Sequence, residues 1–525
     1  MWSFNSLPSL LCLGLLLVDQ SAAKRDFNHY YRQQKERLKT AADNAAKPKT
    51  LHSRADNYRY YNNKTSPYFI EKWPDVNFDT GEFYSGSVPI DESDPSRSLF
   101  WIFKPAIEAP VDEVTIWLNG GPGCSSLIGF FQENGPILWQ PGIYEPTSNP
   151  YSWANITNML YVEQPVGTGF SVGQVRALNE VDIAKDFVGF FKNWEKLFDI
   201  QNYKIYVTGE SYAGRYVPYI SAQMLDQNDT TYYDLSGALV YDPCIGSFDV
   251  VGQEIPTYPF VVANNDILNI NDSYLATLES VHQSCGYADW FDKYLQFPPP
   301  GNQPEIGIYD GSTCDIFDMY ASAANEVNPC FNIYHINDYC PLLNDVLSNP
   351  GGLSCLPQTY YFDRADVKAA LHAPANISWG ECSDIDVFLG NFTGGIGAGP
   401  EGENDRSPDP IQGVLPQVIE ATNRVIVSNG NWDGLLLTNG TLLQIQNMTW
   451  NGQLGFQSPP TEDFIVPTPD LQYGVRGPQG IMGKQHFERG LLWIEGYQAG
   501  HEQPQYQPRA ALRHIQWLLG RIDQL

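Results

Sequence analysis

Residues able to do chemistry centre on Tyr203–Pro218, which reads Tyr-Lys-Ile-Tyr-Val-Thr-Gly-Glu-Ser-Tyr-Ala-Gly-Arg-Tyr-Val-Pro. Ser211 stands between a strand-like alternation at Lys204–Thr208 and a stretch, Tyr212–Leu225, with the apolar spacing of a helix. A serine on a sharp strand-to-helix turn, entered through Gly209, has its hydroxyl thrust out as a nucleophile for acyl transfer. The run departs from Gly-x-Ser-x-Gly, because Ala213 takes the second glycine position and Gly214 follows one later. A polar turn before a helix would look the same over so short a stretch, so the partners decide.

A serine nucleophile needs a base within hydrogen-bond reach, and the base needs a carboxylate to fix its tautomer. In α/β-hydrolases the chain order is Ser, then Asp or Glu, then His. Of the eight histidines, His29 and His52 precede the serine. His282 and His335 fall in a cysteine-rich stretch, His372 comes too early, and His514 lies in a helical run. His486 stands before the last strand-like run, and only His501, after Gly500, follows it. The acid is expected after the preceding strand, Arg424–Ser428, which leads through Asn429-Gly430-Asn431-Trp432 to Asp433. An aspartate in an Asn/Gly-rich turn is commonplace, but the chain order favours Asp433 as the group that orients His501. Donors for the tetrahedral oxyanion are expected from the Tyr212 N–H and from Gly121 in Gly120-Gly121-Pro122-Gly123, which follows the strand Val114–Leu118.

These residues need a sheet to hold them. Gly81–Pro89 and Ser98–Lys104 read as antiparallel strands. Val114–Leu118, Met159–Glu163, Lys204–Thr208, Ala238–Tyr241, Arg424–Ser428 and Leu491–Glu495 alternate with helical runs at Asp182–Phe198, Tyr212–Leu225 and Pro508–Ile522. Alternating strands and helices predict an α/β-hydrolase fold, a mostly parallel sheet covered on both faces. Residues 65–243 and 356–525 make its two parts. Between them, 244–355 breaks the alternation, holds six cysteines and reads as a disulfide-stapled cap insertion with little core of its own. Asn391–Gly413, rich in Gly, Pro and acid, reads as a mobile loop.

The 525 residues carry a formal net charge of −29, which argues against nucleic acid as a partner. Leu7–Val18 is too short for a membrane span and precedes Ser21-Ala22-Ala23, so residues 1–23 read as a signal peptide. The basic stretch 24–64 reads as an arm or pro-segment. Cys12 leaves with the signal, and the other eight of the nine cysteines suffice for four disulfides. Eight Asn-x-Ser/Thr sequons begin at Asn63, Asn155, Asn228, Asn271, Asn376, Asn391, Asn439 and Asn447. Together these features point to the secretory pathway, with a secreted or vacuolar destination. No His-Glu-x-x-His occurs, and neither a metal nor another cofactor is expected.

From about Tyr68 onward the chain resembles the serine carboxypeptidases. The resemblance rests on Trp117-Leu-Asn-Gly-Gly-Pro-Gly-Cys-Ser-Ser126, Glu163-Gln-Pro-Val-Gly-Thr-Gly-Phe-Ser171, Gly209-Glu-Ser-Tyr-Ala-Gly-Arg-Tyr216 and Gly500-His501. It implies removal of single residues from peptide or protein C-termini through an acyl-enzyme. It also implies that Trp117, Asn119 and Glu210 bind the substrate carboxylate, with Glu133 supporting Glu210. Two paired glutamates hold a proton to unusually high pH, so activity is expected to favour acid. The family's Gly-Asp-x-Asp around the acid is replaced by Asn429–Asp433, and Leu436 stands where some members carry a cysteine. His501-Glu502 replaces the frequent His-Met, which suggests that Glu502 lines the leaving-residue pocket and favours Lys or Arg there. By the same resemblance Cys124 pairs with Cys382 and Cys285 with Cys314. Cys340 would pair with Cys355, leaving Cys244 and Cys330.

Competing readings are an acyltransferase on the same scaffold, a catalytically silent binding member, and a lipase or esterase. The complete Ser211, Asp433 and His501 set disfavours the silent member, and a lipase has no use for Glu210, Glu133 and Asn119.

Overall fold

The computed structural model describes residues 58–304, 313–348, 359–389, 405–467 and 478–525. The expected signal peptide, most of the basic arm, Asn391 and most of the Asn391–Gly413 loop lie outside them.

A ten-stranded sheet runs through the molecule. Its strands are β1 (Tyr84–Asp91), β2 (Asp94–Lys104), β3 (Glu113–Leu118), β4 (Asn158–Glu163), β5 (Lys204–Glu210), β6 (Asp234–Tyr241), β7 (Val425–Gly430), β8 (Glu462–Val466), β9 (Gly480–Glu488) and β10 (Leu491–Gly496). They lie in the order β1-β2-β4-β3-β5-β6-β7-β10-β9-β8. The six strands from β4 to β10 pair in parallel, and both margins are antiparallel. Every residue of β3, β4 and β7 is buried, as strands covered on both faces require. This is the α/β-hydrolase architecture expected from the sequence.

On one face lie α2 (Glu180–Phe198), α3 (Ala213–Asp226) and α8 (Val414–Thr422), whose Phe187, Tyr216 and Val418 share a core with Val114 and Val207. Asn179 caps α2 by accepting the Asp182 N–H, and Ile183, Phe187, Phe190, Phe191 and Trp194 all point inward. On the other face α1 (Leu127–Gln132) and α9 (Pro508–Leu518) pack Phe130, Phe131 and Ile515 beside Trp117 and Ile426.

Three expectations need revision. First, β8 and β9 are strands where the sequence carries no strand pattern: both expose side chains on one face, and β9 (Gly-Ile-Met-Gly-Lys-Gln-His-Phe-Glu) lacks clean alternation. Second, the cysteine-rich stretch has a core. Helices α4 (Ile255–Ala263), α5 (Asp272–Ser284), α6 (Tyr287–Tyr294) and α7 (Ile316–Val327) bury Val261, Leu278, Tyr287 and Tyr320 together. Third, Cys330 pairs with Cys340, so neither Cys340–Cys355 nor Cys244–Cys330 forms. A local loop brings the two together, closed by the Asn328 side-chain amide donating to the Asp338 carbonyl at 2.7 Å. Cys124–Cys382 and Cys285–Cys314 are present, and Cys355 lies outside the described residues.

At the N-terminal edge, Tyr60 is buried against Phe103 and Phe198, so the end of the basic stretch is seated on the body. Among the described residues no helix is long and apolar enough to cross a membrane.

Candidate active site

Ser211 follows β5 directly and adopts φ 63°, the left-handed region that ordinary residues avoid. Its N–H donates to the Tyr241 carbonyl (2.9 Å) and its carbonyl accepts from the Gly214 (2.8 Å) and Cys244 (3.0 Å) N–H groups. The turn is therefore held from both sides. A Cβ on Gly214 would sit 2.5 Å from the Cys244 nitrogen, so the glycine is needed at 214. That explains the shifted motif: in this chain the close approach falls one residue later than in Gly-x-Ser-x-Gly, and Ala213 is accommodated.

Asp433 and His501 meet in the interior. His501 Nδ1 lies 2.7 Å from Asp433 Oδ2, and Asp433 Oδ1 accepts from the Leu435 (2.8 Å) and Leu436 (3.2 Å) N–H groups. The His501 N–H donates to the Tyr334 carbonyl at 2.7 Å, and the Gly434 N–H donates to that of Ile333 at 2.8 Å. The cysteine-rich stretch thus clamps both loops. Burial pulls the His501 pKa down, but the charge and hydrogen bond of Asp433, with the charges of Glu502 and Glu133, outweigh it and leave the pKa raised.

The Gly120–Ser126 loop lies against the Ser211 turn: a Cβ on Gly120 would fall 2.5 Å from the Tyr212 nitrogen and 2.7 Å from Ser211 Cβ. This places Gly121 and Tyr212 on adjoining segments. The Glu163 motif, used above only as a family mark, supports that loop. Glu163 accepts from the Ser125 hydroxyl, from the Phe170 N–H and from Trp379 Nε1 (3.0 Å). On the far side the Cys124–Cys382 disulfide is flanked by Ser125 N–H to Glu381 carbonyl (2.8 Å) and Ser383 N–H to Gly123 carbonyl (2.9 Å).

The four residues expected at the substrate carboxylate form one buried network. Asn119 donates to Glu210 Oε1 at 2.6 Å and, more loosely, to Glu133 Oε1 at 3.4 Å. Trp117 Nε1 donates to Asn119 Oδ1 at 2.8 Å. Trp117 is fully buried with its N–H committed, so it orients Asn119. Burial, then the charges of Glu133 and Glu502, raise the Glu210 pKa well above the carboxylate range. Burial and the Glu502 charge raise Glu133 likewise, against opposing hydrogen bonds from Glu210 and Asn119. Glu502, half-buried beside His501, is raised by burial although the His501 charge opposes it. Three carboxyls thus face one another where the sequence suggested a pair.

Two of the histidines set aside by chain order pack near the site, His514 behind Tyr241 and His335 against Gly500 and Trp432. His514 contacts Tyr241 at 3.1 Å and is pushed down to about 3 by burial and the Arg513 charge. His335 stands 2.7 Å from Asp338 and stacks on Tyr506. Of the seven described sequons, Asn63, Asn228, Asn271 and Asn376 are exposed, whereas Asn155, Asn439 and Asn447 are half-buried. A cleft of about 770 Å³ beside Cys382 is lined by Gly167, Tyr360, Trp379 and Ile385, and Ser211, Asp433 and His501 do not line it. Among the described residues no His/Cys/Asp/Glu group could hold a metal ion. Chain order did not reveal Asp242, Gln503 and Ser428, which lie directly behind the site. The placement of Asp242 at the end of the strand after β5 was the available signal.

A serine on a left-handed strand-to-helix turn and a histidine–aspartate pair on later loops of a parallel sheet define a hydrolase of the α/β-hydrolase class. A family model described as serine carboxypeptidase matches residues 74–521. Serine-type carboxypeptidase F of Aspergillus niger is 54% identical over 99% of this chain and 100% of its own length. A carboxypeptidase Y homolog of Arthroderma benhamiae is 41% identical over 92% of this chain and 91% of its own. In fold, the chain is similar to the Kex1 prohormone-processing carboxypeptidase of Saccharomyces cerevisiae, with TM-score 0.66 and 24% identity over 87% of this chain and 96% of that one. The chain belongs to the serine carboxypeptidase family, and it is a hydrolase that removes residues from peptide C-termini through an acyl-enzyme intermediate.

Proposed function

We propose that Ser211 is the nucleophile, His501 the general base and acid, and Asp433 the group that holds the imidazole. The observation that carries this reading is the buried 2.7 Å contact of His501 with Asp433 on loops that flank the strained Ser211 turn. Ser211 Oγ attacks the carbonyl carbon of the last peptide bond as His501 takes its proton. The Gly121 and Tyr212 N–H groups receive the oxyanion. Collapse breaks the C–N bond, and His501 returns the proton to the leaving amine. Water then attacks the ester by the same route and frees Ser211. The protonated Glu210–Glu133 pair and Asn119 hold the substrate carboxylate, because an ionised glutamate there would repel it. Glu502 lines the leaving-residue pocket and favours basic residues.

The chain is further proposed to enter the secretory pathway through residues 1–23, to carry 24–64 as an arm or pro-segment, and to be glycosylated first at the exposed Asn63, Asn228, Asn271 and Asn376. The disulfides support that route. The test pairs an N-blocked dipeptide with its C-terminal amide at pH 4–6, followed by a serine-directed phosphonofluoridate. Preference for the free acid and a single adduct on Ser211 are expected. An adduct on another residue, or equal turnover of acid and amide, would overturn the assignment.

A further inference from the structure

The strand after the nucleophile strand ends at Tyr241 and runs on into Asp242-Pro243-Cys244, and these residues touch all three catalytic loops. The Tyr241 carbonyl and Cys244 N–H grip the backbone of Ser211, as described above. Asp242 itself sits at φ 41° with its side chain wholly buried, a strained position that is held only where surroundings over-determine it. Its Oδ1 accepts the Gly430 N–H at 2.8 Å, and the Gly430 carbonyl in turn accepts the Asp433 N–H at 3.2 Å. Its Oδ2 accepts from Gln503 Nε2 at 2.7 Å, while the Gln503 N–H donates to the His501 carbonyl at 3.0 Å. Gln503 Oε1 accepts from the Ser428 hydroxyl at 2.8 Å, and the Ser428 carbonyl accepts the Asp242 N–H at 2.7 Å, which closes the ring.

We propose that Asp242 is a positioning residue for the carboxypeptidase reaction, its one carboxyl locking the Asp433 loop to the His501 loop beside the Ser211 turn. The proposal rests on the triad reading above. Bridges of this kind matter because small misplacements of reacting groups cost large factors in rate. The chemistry of the bridge is constrained too. Charged or titratable groups facing Asp242 are Asp433, Glu210 across the β5–β6 pairing, and His501 beyond Asp433. Burial, then the Asp433 charge, raises the Asp242 pKa above its ordinary value, against the Gln503 and Gly430 hydrogen bonds, which lower it. Asp433 is the carboxyl in hydrogen-bond contact with the imidazole.

The test uses Asp242→Asn, Asp242→Ala and Gln503→Leu in the full chain, with kcat and KM for an N-blocked dipeptide from pH 4 to 8, thermal unfolding, and labelling of Ser211. Asparagine keeps an oxygen for the Gly430 N–H, and a turned Gln503 amide accepts from its side-chain N–H. Asp242→Asn should therefore keep kcat within about threefold. Asp242→Ala and Gln503→Leu should each lower kcat by roughly 10- to 100-fold with KM nearly unchanged. Where Asp242→Ala fails to fold, Gln503→Leu carries the test, since it cuts the same bridge from the other end. Wild-type kcat in Gln503→Leu, or an Asp242→Asn variant as slow as the truncations, overturns the proposal. Absence of wild-type labelling at Ser211 would instead sink the triad reading beneath it.

Discussion

Replacing Glu210 by glutamine separates the proton that the site stores from the hydrogen bond that the proton supplies. In the wild type, burial and the charges of Glu133 and Glu502 hold the Glu210 pKa above its ordinary value. Glu210 is therefore protonated and a donor at acid pH, and as pH climbs through the raised pKa it becomes a like charge facing the substrate carboxylate. Two unit charges about 4 Å apart at an effective dielectric of about 20 repel by about 4 kcal/mol, or close to a thousandfold in affinity. Loss of the hydrogen bond to a charged group alone is worth about 1.5–3 kcal/mol, or roughly 10- to 150-fold. KM for a free-acid dipeptide should thus rise by a factor between these limits, while the C-terminal amide shows no such rise. Glutamine keeps an acceptor for the 2.6 Å bond from Asn119 and offers an N–H at every pH. Glu210→Gln should flatten KM against pH and leave the His501 limb of kcat where it was. Glu133→Gln removes a charge that raises Glu210, so its KM rise should begin at lower pH. Initial rates on the acid and the amide from pH 4 to 8 supply the measurement. A Glu210→Gln variant whose KM climbs with the wild-type slope would refute the argument.

Further outcomes follow from the same geometry. Gly120→Ala forces a methyl to within 2.5 Å of the Tyr212 nitrogen, so it should displace an oxyanion donor and lower kcat by about 10²–10³, measured in single-turnover acylation. Glu502→Met should reduce the kcat/KM ratio of peptides ending in Lys over those ending in Leu, and an unchanged ratio would remove Glu502 from the leaving-residue pocket. Burial lifts Glu163, against its hydrogen bonds, to about 7, and it lifts Glu254 and Glu381 to about 7 as well. Their folded pKa values exceed the unfolded ones, so the stability they add is complete below about pH 4.5 and is withdrawn as pH rises through 7. Glu163 alone accounts for on the order of 3 kcal/mol, and the melting temperature should fall by a few degrees between pH 5 and pH 8.

What the sequence disclosed depended on how local its cause was. The Ser211 turn was legible because strand, turn and helix lie within one run of residues and each follows its own periodicity. Asp433 and His501 were legible by chain order, since a parallel sheet places its active loops at the same ends of successive strands. β9 was not, because pairing to β10 holds it in place while its own side chains give no clean alternation. The core of the cysteine-rich stretch was hidden for a related reason. Tyr287 and Tyr320 are buried by different short helices, and their closeness is a property of the assembled group. Asp242 is the limiting case. Its partners lie 188 and 261 residues away, and one of them is the backbone N–H of a glycine, which carries no side-chain signal at all. A carboxyl read alone at the end of a strand is an ordinary strand terminus. Only when the sheet has set β6 beside β7 and brought the His501 loop over both does the same group become the point through which three catalytic loops are joined.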